Sequence, residues 1–196
     1  MRTGHLRPLS SEERRRQDDA ELIEIRSPDP GWPRRYLDEA RTINRTMRAY
    51  GIEGMRFEHF GSTSVPGLPA KPIIDIMMLP PPGCDWRQLV VPLLSLGYVH
   101  WRDNVAPERM FFVKSLLPQG RQRTHHLHVM TLAEADKHLR FRDYLRRHPD
   151  VAEAYADLKC ALARQHPHDR AAYTRGKDAF FAMTLGQANA ERILQR

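Results

Sequence analysis

A chain of 196 residues with 41% hydrophobic and 28% charged content can bury a core of ordinary size beneath a polar surface. Its net charge of +7 is explained first by a solvated cationic surface and next by small phosphate-bearing ligands, because no nucleic-acid-reading motif accompanies the arginines. Two cysteines without a spacing pattern exclude a disulfide framework, and the absence of a membrane-length apolar run or an apolar signal core makes a cytoplasmic location with no membrane partner the expectation.

Residues 1 to 20 are predicted to form a flexible, mixed-charge tail, and residues 21 to 196 a single domain. Leu22 to Arg26 alternates as an edge strand would. After the turn cluster Ser27-Pro28-Asp29-Pro30-Gly31, Trp32-Pro33 opens a helix whose stripe of Tyr36, Leu37, Ala40, Ile43, Met47 and Tyr50 ends at Gly51. Met55 to Phe60 is a strand, with Glu58 and Phe60 on one face and Phe57 and His59 on the other.

Gly61-Ser62-Thr63-Ser64 then makes a hydroxyl-rich turn. It is either a phosphate cradle or a plain capping turn. The nearly continuous apolar run from Ile73 to Leu79 reads as a strand covered on both faces. Asp75 interrupts that run, and a carboxylate there needs a cation, a donor or water. A phosphate turn, Lys71 and a buried acid in such short compass suggest a site that grips a nucleoside triphosphate and a divalent cation. An arginine paired with Asp75 is the structural alternative.

Pro80-Pro81-Pro82-Gly83 breaks the chain, and Asp85 caps a helix from Trp86 to about Leu96. Strands follow at Tyr98 to Trp101, Arg109 to Leu116 and Thr124 to Met130, the last two joined as a hairpin through Pro118-Gln119-Gly120. His126 and His128 share one strand face; His125 faces the other way. The pair could join an acid in holding Zn²⁺, Mn²⁺ or Fe²⁺, contact phosphate, serve as a general base, or be structural. Beyond Thr131 three helical stretches are predicted, Leu132 to Arg147, Val151 to Gln165 and Arg170 to about Leu194. On them Lys159 and Lys177 are candidate contacts for an anion in a cleft between sheet and helices. Surface cations are the plainer reading, while Arg142 and Asp143 are candidates to pin helix to sheet and Tyr173 also stands out.

The blocks HFGSTSVPGLPAKPIIDIMM, ERMFFVKS, THHLHVM, FRDYLRRHPDVAEAYADLK and YTRGKDAFF closely resemble the GrpB family over about residues 22 to 185. That resemblance implies an α+β fold similar to the nucleotidyltransferase superfamily: a small mixed sheet flanked by helices, with the sheet core at about 21–131 and a helical part at about 132–196. It also implies relatives fused to dephospho-coenzyme A kinase domains. The superfamily carries a Gly-Ser turn, a strand with two acids one residue apart, and a third acid on a later strand. Gly61 and Ser62 match the turn and Asp75 the first acid, but Met77 stands where the second belongs. His126 or His128 falls near the third.

Three functions are therefore expected to compete. One is a metal-dependent nucleotidyltransferase using Asp75, His126 and His128 with Mg²⁺ or Mn²⁺, or with Zn²⁺. In it Gly61, Ser62, Thr63, Ser64, Lys71, Lys159 and Lys177 hold a nucleotide whose group passes to a small-molecule acceptor. The second is a non-catalytic nucleotide- or coenzyme A-binding module that assists a partner enzyme. The third is metal-dependent hydrolysis by the histidine pair.

Overall fold

The computed structural model describes residues 22–101, 109–115 and 123–194. The expected tail at 1–20 and the hairpin turn at Pro118-Gln119-Gly120 lie outside them. The architecture is α+β: a five-stranded mixed sheet with a helical C-terminal third.

Helix α1 (Trp32–Ala49) leads into β1 (Arg56–Phe60), and β2 (Ile74–Leu79) follows a short 3₁₀ turn at Ser62–Ser64. A second 3₁₀ turn (Trp86–Leu89) runs into α2 (Val90–Ser95), then come β3 (Tyr98–His100), β4 (Arg109–Ser115) and β5 (Arg123–Met130). The remaining helices are α3 (Leu132–Arg147), α4 (Pro149–Gln165), α5 (Arg170–Arg175) and α6 (Asp178–Leu194). The strand order is β1-β2-β5-β4-β3; β2 and β5 are parallel and every other neighbouring pair is antiparallel. Strand β2 thus has a partner on each side, which suits its unbroken apolar run.

Alternation along the strands splits the core into two. Ile74, Ile76 and Met78 of β2, Leu127 and Val129 of β5 and Phe112 of β4 pack with Trp32, Ile43 and Met47 of α1 and Leu89 and Leu93 beside α2. On the opposite face Phe60, Met77, Leu79 and Met130 meet Ala135 of α3. Helices α3, α4 and α6 form their own cluster around Phe141, Leu145 and Tyr155, which also takes in Val65 and Leu68 from the loop before β2.

Local differences from the sequence expectation have local causes. Leu22 to Arg26 is not an edge strand; it makes one antiparallel bridge, Arg26 to Ala70. Its partner segment is Pro69-Ala70-Lys71-Pro72, and prolines without N–H groups cannot extend a ladder. Asp85 does cap, its carboxylate accepting from Arg87 N–H at 3.0 Å, but the first turn is 3₁₀. Pro92 explains this, since its ring crowds the carbonyl four residues back. Helix α4 starts earlier than expected because Pro149 is tolerated in a first turn. The last predicted helix divides at Gly176-Lys177. A side chain at Gly176 would strike Leu162 Cδ2 at 2.4 Å, so the break lets α5 lie close on α4.

Candidate functional site

The exposed end of the β2–β5 pair opens into a cleft of about 490 Å³, closed on its far side by α4, α5 and the α5–α6 junction. Its floor is built by register. The parallel pairing sets Asp75 opposite His126 and Met77 opposite His128, and these alternate positions face away from the α1–α2 core. His126 Nδ1 donates to Asp75 Oδ1 at 3.0 Å, and His128 Nε2 lies 3.8 Å from the same oxygen. One donor atom from each of the three falls within 4.8 Å of the others.

Electrostatics fixes the protonation states. Burial would raise the Asp75 carboxyl, but the hydrogen bond from His126, and then the nearby His128 ring, outweigh it and hold it below the ordinary carboxylate range. Burial lowers His126 to about 3 and His128 to about 4, more than the Asp75 hydrogen bond restores. The floor is therefore a carboxylate beside two neutral imidazoles at neutral pH, the charge states that ligands to a cation need. His126 Nε2 is buried without a hydrogen-bond partner. One oxygen and two nitrogens fit Mn²⁺ or Zn²⁺ better than Mg²⁺, which favours oxygen ligands throughout.

Gly61 permits this floor to exist. Its φ of 69° and ψ of −173° belong to a region reserved for glycine, and a Cβ would sit 2.3 Å from Asp75 Oδ2. Ser62 and Thr63 also line the cleft. Ser62 lines the cleft beside Tyr155, and Thr63 Oγ1 lies 3.0 Å from His59 Nε2. Ser64 is placed differently: it is buried, its hydroxyl donates to Gly61 O at 2.6 Å, and it does not line the cleft. Arg146 holds the turn from outside by donating to Ser64 O at 2.7 Å.

Lys71, Lys159 and Lys177 all reach the cleft. Tyr173 lies between two of them, with Lys177 Nζ 4.5 Å and Lys71 Nζ 5.1 Å from its ring centre. Lys159 donates to Pro69 O and sits 4.9 Å from the centre of Tyr155. Burial, joined by repulsion from Arg170 and Lys177, lowers Lys71 to about 7; burial and Lys177 lower Lys159 to about 7. These lysines are poised to regain full charge against an anion.

The sequence reading missed Arg109, Arg123 and Arg170, which line the same cleft with Trp101, Phe111 and Tyr155. Phe111 packs its ring on both histidines, at 5.1 Å from His126 and 4.7 Å from His128. A signal was present for Arg109: in an antiparallel hairpin with the THHLHVM strand, the first residues of RMFFVKS must lie beside its end.

A family model described as GrpB protein matches residues 22–187. The chain belongs to the GrpB family. It is 55% identical over 172 residues to a UPF0157 protein of Pseudomonas aeruginosa, covering 88% of this chain and 70% of that one. The crystal structure of the conserved protein GrpB from Enterococcus faecalis overlies it with a TM-score of 0.73 at 30% identity, spanning 86% of this chain and 99% of that one. A dephospho-CoA kinase of Mycobacterium bovis is 30% identical over 177 residues, 78% of this chain but 42% of the kinase. The GrpB resemblance read from the sequence is borne out, as is the likeness to part of such a kinase.

Proposed function

We propose that this GrpB-family chain binds a nucleoside triphosphate together with a divalent cation, and transfers the nucleotidyl group to a small acceptor. The observation that carries this reading is convergence. The Gly61-Ser62 turn, the Asp75, His126 and His128 donors and three lysines from separate elements line one cleft. A metal at the three donors would neutralise charge developing on the α-phosphate. Lys71, Lys159 and Lys177 would grip the β- and γ-phosphates. The Ser62 hydroxyl and the first N–H groups of its turn, which a 3₁₀ turn leaves without internal acceptors, would orient them. An acceptor hydroxyl then forms a bond to the α-phosphorus as the α–β bridging bond breaks, pyrophosphate leaves, and the hydroxyl proton passes to water.

Mn²⁺ or Zn²⁺ is the cation this donor set favours. Met77 is fully buried in the core below the floor, so no second carboxylate shares the strand face. That observation favours a second reading, in which the domain binds a nucleotide or coenzyme A-like ligand without turnover and assists a partner enzyme.

Calorimetric titration with ATP, GTP, CTP and UTP in the presence of Mn²⁺, followed by pyrophosphate-release assays over hydroxyl, amine and carboxylate acceptors, separates the two. Binding with acceptor-dependent pyrophosphate release is expected. Binding with no release under any condition establishes the second reading, and no binding contradicts both.

A further inference from the structure

Nucleotidyl transfer has a direction, and the sheet shows which side is left for the acceptor. In an in-line displacement the attacking oxygen enters opposite the leaving pyrophosphate. The groups assigned to the β- and γ-phosphates lie to one side of the Asp75–His126–His128 floor. The Gly61-Ser62 turn follows β1, the neighbour of β2 away from β5, and Lys159 is tied to the loop between that turn and β2 through Pro69 O. The acceptor must then arrive from the other side, over β4 and β3.

That side is built from rings. His128 is paired with Phe111, and the Trp101 N–H donates to Phe111 O at 2.7 Å, so Trp101 continues the β3–β4 pairing just beyond His100. One row of side chains therefore crosses from His128 through Phe111 to Trp101. Its two ends are two strands apart, about 10 Å at the usual strand spacing. Phe111 and Trp101 both line the cleft, and both are only partly buried.

Trp101 is held in place: the guanidinium carbon of the buried Arg123 sits 4.8 Å from the centre of its ring. The other cation on this side, Arg109, lies in the field of the Glu134 carboxylate, so neither arginine calls for an anionic acceptor. What this side offers is aromatic surface. Such surface holds flat rings by stacking, which needs neither charge nor hydrogen-bond readout. The span from Trp101 to the floor suits a molecule whose hydroxyl projects from a planar ring.

We propose that Trp101 and Phe111 form the acceptor subsite, and that the acceptor is an alcohol bearing a planar aromatic ring, stacked on Trp101 with its hydroxyl over the Asp75–His126–His128 floor. The assignment rests on the nucleotidyl-transfer reading above and adds the substrate class. The acceptor oxygen bonds to the α-phosphorus, the bond from that phosphorus to the α–β bridging oxygen breaks, pyrophosphate leaves, and the hydroxyl proton passes to water.

The test loads the protein with Mn²⁺ and α,β-methylene-ATP, then titrates adenosine, 2-phenylethanol and glucose by tryptophan fluorescence and by calorimetry. Trp32 and Trp86 pack in the core on the opposite face of the sheet, so a cleft ligand reports through Trp101. Saturable quenching by adenosine or 2-phenylethanol is expected, and it tells a nucleoside from a simpler aromatic alcohol; glucose, with no π face, should not quench. Trp101→Phe should lose the quench and keep the calorimetric affinity within about threefold, whereas Trp101→Leu should weaken it about tenfold. Both variants should hold Mn²⁺ and α,β-methylene-ATP within about twofold of the wild type, because the phosphate side is untouched. Should Trp101→Leu lose its cooperative thermal transition, the quench in Trp101→Phe carries the test. Quenching by neither ring compound, quenching by glucose, or full affinity in folded Trp101→Leu overturns the subsite. Release of α,β-methylene-ATP by adenosine overturns the acceptor role alone, since the donor's base then holds the platform. Failure of α,β-methylene-ATP to bind overturns the transfer reading and the acceptor role with it.

Discussion

Asp75 is tolerated in the middle of an apolar strand because three neighbours are arranged around it. His126 donates to its Oδ1, His128 lies 3.8 Å from that oxygen, and Gly61 yields the space that a Cβ would take from Oδ2. Gly61→Ala should therefore displace the carboxylate and also strain the backbone, costing about 1–3 kcal/mol of stability and most of the Mn²⁺ affinity. Urea denaturation and Mn²⁺ titration of that variant measure the two effects; unchanged metal affinity would contradict the role given to Gly61. Asp75, His126, His128 and the glycine turn were all visible in the sequence, because an acid in an apolar run and two histidines on one strand face are local patterns. Arg109 was not recognised. The hairpin reading set its strand beside the histidine strand, but that its side chain lines the cleft depends on the register of the folded sheet.

At the level of elements, the site depends on two strands far apart in the chain lying side by side in parallel. Hairpin β4–β5 could be read from two neighbouring apolar runs, but nothing in either run announces that β5 inserts between β4 and β2. That pairing brings His126 to Asp75 across 51 positions of sequence. Helix α3 is fixed to the same sheet by Arg142, which donates to Glu58 Oε2 at 2.9 Å and to His59 O at 2.8 Å. The expectation that Arg142 pins helix to sheet is met, with Asp143 holding the guanidinium at 2.7 Å. Arg142→Ala should cost about 1.5–3 kcal/mol, since it removes hydrogen bonds to a charged group and leaves a buried carbonyl unpaired. Chemical denaturation checks this, and a loss below about 0.5 kcal/mol would show that the tie is incidental. The helical breaks were legible only in part: Pro149 marked the break before α4, though not that it is the helix's first residue, whereas the division at Gly176 reflects packing on Leu162.

For the whole molecule, the net charge of +7 has a structural counterpart in the crowding of cations around one cleft. Composition alone allowed a solvated surface as the first explanation, and only packing shows that six of these cations share a cavity. The crowding has a thermodynamic signature. Lys71 and Lys159 fall from 10.5 to about 7 on folding, through burial first and neighbouring cations second. Between those values the unfolded chain binds more protons than the folded one, so stability of the ligand-free protein should rise with pH from about 7 toward 10.5. The slope is about 1.4 kcal/mol per pH unit for each lysine. Lowering the pH through that window removes the contribution. A bound polyanion restores the lysine charges and should flatten the dependence. Urea midpoints at pH 7, 8 and 9, with and without tripolyphosphate, measure both; a flat ligand-free profile would contradict the crowding.

The most direct test of the metal-and-nucleotide account is a crystal grown with Mn²⁺ and a non-hydrolysable nucleoside triphosphate, with anomalous scattering used to locate the metal. The account predicts a Mn²⁺ peak among Asp75, His126 and His128, and phosphates within hydrogen-bonding distance of Ser62 and Lys71. A peak elsewhere, or a triphosphate bound outside this cleft, would contradict it.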